Sequence, residues 1–379
     1  MIDTVFKGDG TAFALKATAA KMPSSYSEWR NLVLQGAARM DISLDAAGCE
    51  VVGTPLNKEA LLPESVQNIL SLPDASTVGN ALSALYALVV KSNQVSVTIV
   101  SKAGATVKAH RTQEPNTYYT YLMGTSTTKT AMLPFPGEWQ FEATFGGKTY
   151  GVTKTFVAGE QGRVCISDNL NAMSWAEILS AVEYAKTSTD KAVPWALGST
   201  KTVPINFKRG GEYYARLVSY FPGNLAIFHL CVPLWGDAFS QNLTATNAGG
   251  YQLSRMRTEI LPTIFGILPN DLQSALESST KLHTDTGSVI MFDALFLPSE
   301  KEIFGTASMA SSSTGAQFQW YASGNSPIAP ETAGTNGGYW LRDPVDESES
   351  SFVVVGGNGA VSSMLANSSV GVAPCFQLV

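Results

Sequence analysis

Trp340-Leu341-Arg342-Asp343-Pro344 opens the stretch that decides how this chain folds. An acidic, Ser-rich segment follows, Val345 to Ser351. Then come the apolar run Phe352 to Val355, the turn signal Gly356-Gly357-Asn358-Gly359, Ala360-Val361 and a polar tract, Ser362 to Ser369. The chain closes on Gly371-Val372-Ala373-Pro374-Cys375-Phe376 and three further residues. Short apolar runs bounded by Gly, Asn and Ser predict strands, and the polar segments between them predict long loops. Such a β-rich domain presents a variable surface on a rigid frame.

Trp340 to Pro344 resembles a Trp-Leu-Arg-Ser-Pro motif, and Gly371 to Pro374 resembles a Gly-Val-Arg-Pro ending. Both are signatures of a domain family found in bacteriophages of gut bacteria and in their hosts' surface proteins. Gly249-Gly250-Tyr251, Ser254, Met256-Arg257, Leu268-Pro269, Leu272, Leu297-Pro298-Ser299-Glu300 and Ile303-Phe304-Gly305 stand in the same order as in that family. The resemblance covers roughly residues 170–379. It implies a variant of the C-type-lectin-like fold shared with formylglycine-generating enzymes and phage tropism determinants. Asp343 stands where the family has Ser, and Ala373 where it has Arg. The resemblance implies that the second departure is expected to loosen a structural ion pair or hydrogen bond.

A chain of 379 residues accommodates two or three domains. Charged residues make up 15%, with Gly, Ser, Thr and Asn in their place, as in a loop-rich β protein. A net charge of −6 argues against nucleic acid as a partner. The four cysteines, at 49, 165, 231 and 375, form no Cys-x-x-Cys pair, so no structural zinc site is expected. Cys231 and Cys375 sit in apolar runs and read as buried thiols. Met1-Ile2-Asp3-Thr4 lacks a basic segment followed by an apolar one, so no signal peptide is expected. No run of 18 apolar residues occurs, so no membrane insertion is expected. The protein is expected to be made in the host cytoplasm and released by lysis.

The expected class is α+β multidomain. Residues 1–92 form an N-terminal attachment and oligomerisation region. Within it Ala38 to Leu44 alternates as a strand would, and Gly53-Thr54-Pro55-Leu56-Asn57 resembles the N-terminal regions of phage tail and baseplate appendage proteins. One helix starts near Pro63, with Val66, Ile69 and Leu70 on a face. A second starts near Ser76 or Thr77, with Val78, Leu82, Leu85 and Val89 as its stripe. Residues 93–166 form a β-sandwich spacer, similar to immunoglobulin-like or prealbumin-like modules. Val95 to Val100 alternates cleanly, and Gly146-Gly147 marks a hairpin turn. In Tyr118-Tyr119-Thr120-Tyr121, the Tyr119/Tyr121 face either packs into the sandwich or joins an exposed aromatic patch.

Residues 167–379 form the C-type-lectin-like domain. Ser174-Trp175-Ala176-Glu177 is a capping box that starts a helix burying Trp175, Ile178, Leu179 and Val182. Strands follow at 202–207 and 213–220, then a buried apolar run at 224–234. A helix is expected at 254–265, kinked or ended by Pro262. Another begins at Asn270, boxed by Gln273, and a short one at Ser299, boxed by Glu302 and stopped by Gly305.

Catalysis is not expected. His110, His229 and His283 lie in different elements, with no His-x-x-x-His spacing, and His229 in its apolar run reads as a satisfied core residue. Glu114-Pro115-Asn116 matches the sugar-binding tripeptide of calcium-dependent lectins but falls in the sandwich, where it reads as chance. Asp343, Asp346, Glu347 and Glu349 crowd one loop and read as solvated rather than metal-binding. No Ser-His-Asp order, phosphate loop or zincin motif occurs, and no cofactor is expected.

The resemblance therefore implies a phage virion protein, a tail fibre or receptor-binding protein that recognises a host-surface glycan or protein through loops. The alternative is a head fibre or capsid decoration protein with a structural or adhesive role. Its partners would be other virion proteins and the host ligand, and a homotrimer would add strength by multivalency. The expected contact residues are Trp320, Tyr321, Asn336, Tyr339, Asp346, Glu347, Glu349, Asn358 and Ser363. Trp340, Leu341, Arg342 and Pro344 are expected to be framework.

Overall fold

A computed structural model describes residues 4–8, 11–17, 40–45, 80, 83–85, 93–188, 191–205, 212–221, 225–234, 239–277, 283–284, 290–291, 293–330 and 336–379. The chain divides into two compact units, Met1–Asn93 and Gln94–Val379. In the first, β1 (Thr4–Gly8), β2 (Thr11–Ala17) and β3 (Met40–Asp45) form an antiparallel sheet in that order. The alternating run before Leu44 is thus a strand. The first expected helix, at 63–70, lies outside the described residues. Of the second, residues 80 and 83–85 are described and are helical.

The second unit is β-rich and mixed. Its strands β4 (Val95–Ser101), β5 (Thr106–Arg111), β6 (Tyr119–Leu122), β7 (Thr128–Leu133), β8 (Gly137–Phe145), β9 (Lys148–Phe156) and β10 (Gln161–Ile166) make two sheets, β10-β4-β7 and β6-β5-β8-β9. Strand β4 alternates buried and half-buried, which sends Val95, Val97 and Ile99 into the core. Gly146 and Gly147 both have positive φ, 58° and 75°, as a two-residue type I′ hairpin requires. Tyr118 and Tyr119 are exposed and Tyr121 is half-buried against the core, so the aromatic run divides between the two expectations.

The core runs across residue 166 without a break. Helix α1 (Trp175–Lys186) starts at the expected capping box, with Ser174 and Glu177 each bonding the other's backbone. Ser180 Oγ accepts from Thr153 N at 2.7 Å and donates to Thr153 O at 3.1 Å. Tyr184 OH donates to Glu142 at 2.9 Å. Gly151 on β9 lies so close under the Tyr184 ring that an added Cβ would be 2.4 Å from it. Gly151→Ala is therefore expected to cost about 1–3 kcal/mol in urea unfolding, since backbone or ring must move. A cost below about 0.5 kcal/mol would mean that the helix slides freely over β9.

A four-stranded antiparallel sheet follows: β11 (Thr200–Val203), β12 (Tyr213–Phe221), β13 (Leu225–Leu230) and, from the chain end, β21 (Cys375–Leu378). The β12–β13 register shifts at a bulge between Leu217 and Ser219, and the sheet buries both its faces. One face joins the main core, where Phe228 stacks on Phe376 at 5.5 Å and Trp175 meets both edge-on. The other faces a second core containing Val218, Ile227, Tyr321, Tyr339, Leu341 and Cys375.

The expected helix at 254–265 is a π turn, Met256–Ile260, followed by α2 (Leu261–Gly266). Pro262 follows the π turn directly and the helix runs on through it to Gly266, so it does not end the helix. In α3 (Asn270–Glu277), Asn270 is the first helical residue, and the Gln273 side chain donates to Leu268 O at 2.7 Å rather than closing a box. Two two-residue strands, β14 (His283–Thr284) and β15 (Ile290–Met291), pair with each other. Helix α4 (Glu300–Phe304) has the Ser299/Glu302 box and ends at Gly305, φ 79°. Helix α5 is the single turn Gln319–Ala322. After the pair β16 (Ala329–Pro330) and β17 (Asn336–Gly337), the opening stretch forms β18 (Tyr339–Pro344), β19 (Ser351–Val355) and β20 (Val361–Leu365), an antiparallel sheet in that order. No helix among the described residues is long and apolar enough to cross a membrane.

Candidate functional site

The expected contact residues do not form one surface. Tyr321 and Tyr339 are core residues, 6% and 0% exposed, and cannot touch a ligand as expected. The physical reason is a buried partner. Tyr321 OH donates to His229 Nδ1 at 2.6 Å, and His229 Nε2 donates to Ala373 O at 3.0 Å. A carbonyl can only accept, so Nε2 carries a proton, and because burial keeps the ring neutral Nδ1 is left as the acceptor. Burial pushes His229 down to about 4. Tyr339 OH donates to Pro327 O at 3.1 Å. Each hydroxyl that reads as a ligand contact is engaged inside the protein, Tyr321 by His229 of β13 and Tyr339 by the Pro327 carbonyl.

The remaining residues fall into two groups. Asp346, Glu347 and Glu349 are exposed on the loop before β19. Asp346 accepts from Ser311 N at 2.6 Å, and hydrogen bonding from the Ser311 side chain and backbone lowers its pKa from the ordinary carboxylate value. The loop is wrapped round the Asn247 side chain, whose amide donates to Val345 O, Ser348 O and Ser351 O. Asn358 is exposed in the turn after β19, where its Oδ1 accepts from Ala360 N at 3.0 Å. A five-residue strand at about 3.3 Å per residue holds these groups roughly 16 Å apart. Ser363 is exposed midway, on β20. Asn336 pairs with Pro330 in the small β16–β17 ladder; its side chain is outside the described residues. Among the described residues no three of His, Cys, Asp and Glu converge as a metal ligand set.

Trp320 is half-buried and belongs to the Asn358 end. Asn325 Nδ2 donates to Trp320 O at 2.8 Å, and the segment after it reaches the turn: a Cβ on Gly359 would lie 2.6 Å from Ile328 Cγ1 and 3.5 Å from Ser326 Oγ. The indole rests on Gly198, φ +85°, where an added Cβ would be 2.1 Å from Cζ3. Next to it is Arg216, with its guanidinium carbon 5.3 Å from the Trp320 ring centre and 5.8 Å from that of Tyr214. Both distances are within cation–π range. Gln319 secures the turn of α5 by accepting from Tyr220 N at 2.9 Å. Three buried polar atoms on this side of β12 have no hydrogen-bond partner: Arg216 Nε, Trp320 Nε1 and Ser219 Oγ. Buried donors are almost always satisfied, so such a group needs an explanation.

Arg216 and Tyr214 were not among the expected contacts, although a signal for them exists. In Tyr213-Tyr214-Ala215-Arg216 the core residues Tyr213 and Ala215 alternate with Tyr214 and Arg216, which must share the opposite face. What the strand pattern does not say is that Trp320, over a hundred residues later, lands beside them.

The framework residues are placed as expected. Trp340 Nε1 donates to Phe239 O at 3.0 Å. Arg342 is fully buried and grips Glu302 through two bonds, 2.6 and 3.0 Å, while bonding Leu297 O at 3.0 Å. Glu300, also fully buried, accepts from the backbone N–H groups of Ser308, Met309 and Ala310. Cys165, Cys231 and Cys375 are free and buried, and burial pushes the Cys231 thiol up to about 11, so it is inert.

Fold and site together define a β-rich protein of mixed class with a rigid frame under exposed loops. Residues 249–379, about the last third of the chain, match the family described as a domain of unknown function, DUF6273. No curated protein matches the chain.

Proposed function

We propose that this chain is a phage virion protein, a tail fibre or receptor-binding protein whose residues 167–379 adopt a variant of the C-type-lectin-like fold. Its N-terminal region attaches it to other virion proteins, and trimers multiply a weak single-site affinity. Host recognition occurs at the end of the second unit that carries Trp320, Arg216 and Asn358. The observation behind this is the Trp320–Arg216 pair: a half-buried tryptophan and a half-buried arginine held in cation–π contact, beside loops secured by hydrogen bonds. Aromatic and arginine side chains held rigidly are the residues that dominate recognition surfaces. The acidic loop is roughly 16 Å away by strand length and is not part of this surface.

Binding of the full-length protein to host cells tests the proposal. The full chain is needed, because a cut at 166 would strip α1 from β9. Saturable binding, lost in Trp320→Ala and kept in the double variant Glu347→Ala/Glu349→Ala, is the expected result. Loss in the acidic double variant alone would move the surface to the other end of β19. Absence of cell binding, with the protein present on particles, would favour a head fibre or decoration protein.

A further inference from the structure

Arginine usage on this chain is uneven. Arg111, Arg163, Arg255, Arg257 and Arg342 each pair with a carboxylate. Arg216 is the one arginine among the described residues that pairs with none. It is nevertheless not a loose surface charge. Its Nε is buried, and its guanidinium is within cation–π distance of both the Trp320 and the Tyr214 ring. A guanidinium fixed in this way keeps its planar fork of donors while losing little rotamer freedom on binding. Packing beside β13 also gives it an effect inward, since its charge adds to the burial that keeps His229 neutral.

From this geometry we infer that Arg216, Trp320 and Tyr214 bind a carboxylated saccharide, a uronic-acid-type sugar. The inference deepens the recognition surface proposed above and rests on that reading. The guanidinium takes the carboxylate through two parallel N–H···O bonds, the strongest pairing available to it. The partly exposed indole takes the apolar C–H face of the pyranose ring, and Tyr214 contributes a second aromatic wall that carries a hydroxyl. The Arg216–Trp320 spacing of 5.3 Å lets a ring on the indole extend its carboxylate over the guanidinium. A neutral sugar would leave the cation unpaired, and a simple carboxylate would leave the indole uncovered. Charge and ring are therefore both required. Gly198 is part of the device: any side chain there would push the indole off its seat.

The test is saturation-transfer NMR and calorimetry on the full-length protein with methyl β-D-glucuronide, methyl β-D-glucoside and acetylglycine as probes. Glucuronide is expected to bind with a Kd of about 1 mM, at least ten-fold tighter than either control, and more weakly as salt rises. Arg216→Met keeps an apolar stem beside the two rings and should abolish the preference for glucuronide over glucoside. Arg216→Lys keeps the charge without the fork and should weaken glucuronide five- to ten-fold, with an unchanged unfolding midpoint. Equal affinity for glucuronide and glucoside, or no glucuronide binding, overturns the inference. Equal affinity for acetylglycine overturns the saccharide part and leaves a carboxylate site suited to a peptide end. Host-cell binding is scored separately. Cells bound equally by wild type and Arg216→Met, without competition by glucuronide, sink this ligand class but not receptor recognition. Glucuronide binding without cell binding does the reverse.

Discussion

Arg342→Met is expected to lower the unfolding free energy of the second unit by about 3–5 kcal/mol, the usual cost of removing one partner from a buried ion pair. The side chain is fully buried, and Glu302 meets it with both carboxylate oxygens. Burial works against the charge, and Glu302 more than offsets it, so the guanidinium is held above its ordinary range. Without Arg342, Glu302 keeps only the Ser299 N–H at 2.8 Å, with Asp343 and Glu300 close by in the same buried region. A domain has about 5–15 kcal/mol in total, so the single variant should be marginal at 37 °C. Urea unfolding followed by tryptophan fluorescence measures the loss. The double variant Arg342→Met/Glu302→Gln should recover about 1–3 kcal/mol of it, because the orphaned charge is gone. A loss below 1 kcal/mol in Arg342→Met would show that the pair does not hold α4 to β18.

Asp343→Asn should act in the opposite direction, and only at neutral pH. Burial pushes the Asp343 carboxyl up to about 6, against Arg342 and against hydrogen bonds from Glu300 N at 2.5 Å and Ser313 Oγ at 2.8 Å. Its other oxygen, Oδ1, is buried without a partner. The folded pKa lies above the unfolded value of about 3.9, so the native state holds the proton longer. This group's contribution is best below pH 4, falls as pH rises towards 6, and stays unfavourable above that. A shift of about two units corresponds to roughly 3 kcal/mol at pH 8. Asp343→Asn is therefore expected to gain about 1–3 kcal/mol at pH 8 and nothing at pH 4. His229 has the opposite sign. Its folded pKa, about 4, lies below its ordinary value, so its contribution is complete above about 6.5 and is lost as pH falls towards 4. The two slopes overlap and offset each other in the native chain. In Asp343→Asn the His229 slope stands alone, and stability should rise more steeply between pH 4 and 6.5. Equal gains at pH 4 and pH 8 would contradict this assignment.

Local chemistry was legible wherever its partners are close in sequence. Ser174 and Glu177, and Ser299 and Glu302, are three residues apart, and both boxes form. The alternation of β4, the Gly146-Gly147 hairpin and the helix stop at Gly305 belong to the same class. The box expected at Asn270 failed for a local reason: Pro269 O already accepts from the N–H groups of Leu272 and Gln273, which leaves Gln273 free to turn back to Leu268.

Tyr321 and Tyr339 were misread because polar neighbours in sequence suggest exposure, whereas burial is decided by partners far away. His229 is 92 residues from Tyr321. The same distance problem hid the Arg216–Trp320 pair. The parallel pairing of β10 with β4, and the antiparallel pairing of β21 with β13 nearly 150 residues earlier, likewise left no local trace. By itself the sequence determined strand and helix starts, the framework role of Trp340 to Arg342, and a β-rich mixed class, because periodicity and capping act over a few residues. Only the tertiary structure decided which aromatics are core, which carboxylates share a charge cluster with Arg342, and which cation was left without a carboxylate, because burial and electrostatics depend on neighbours in space.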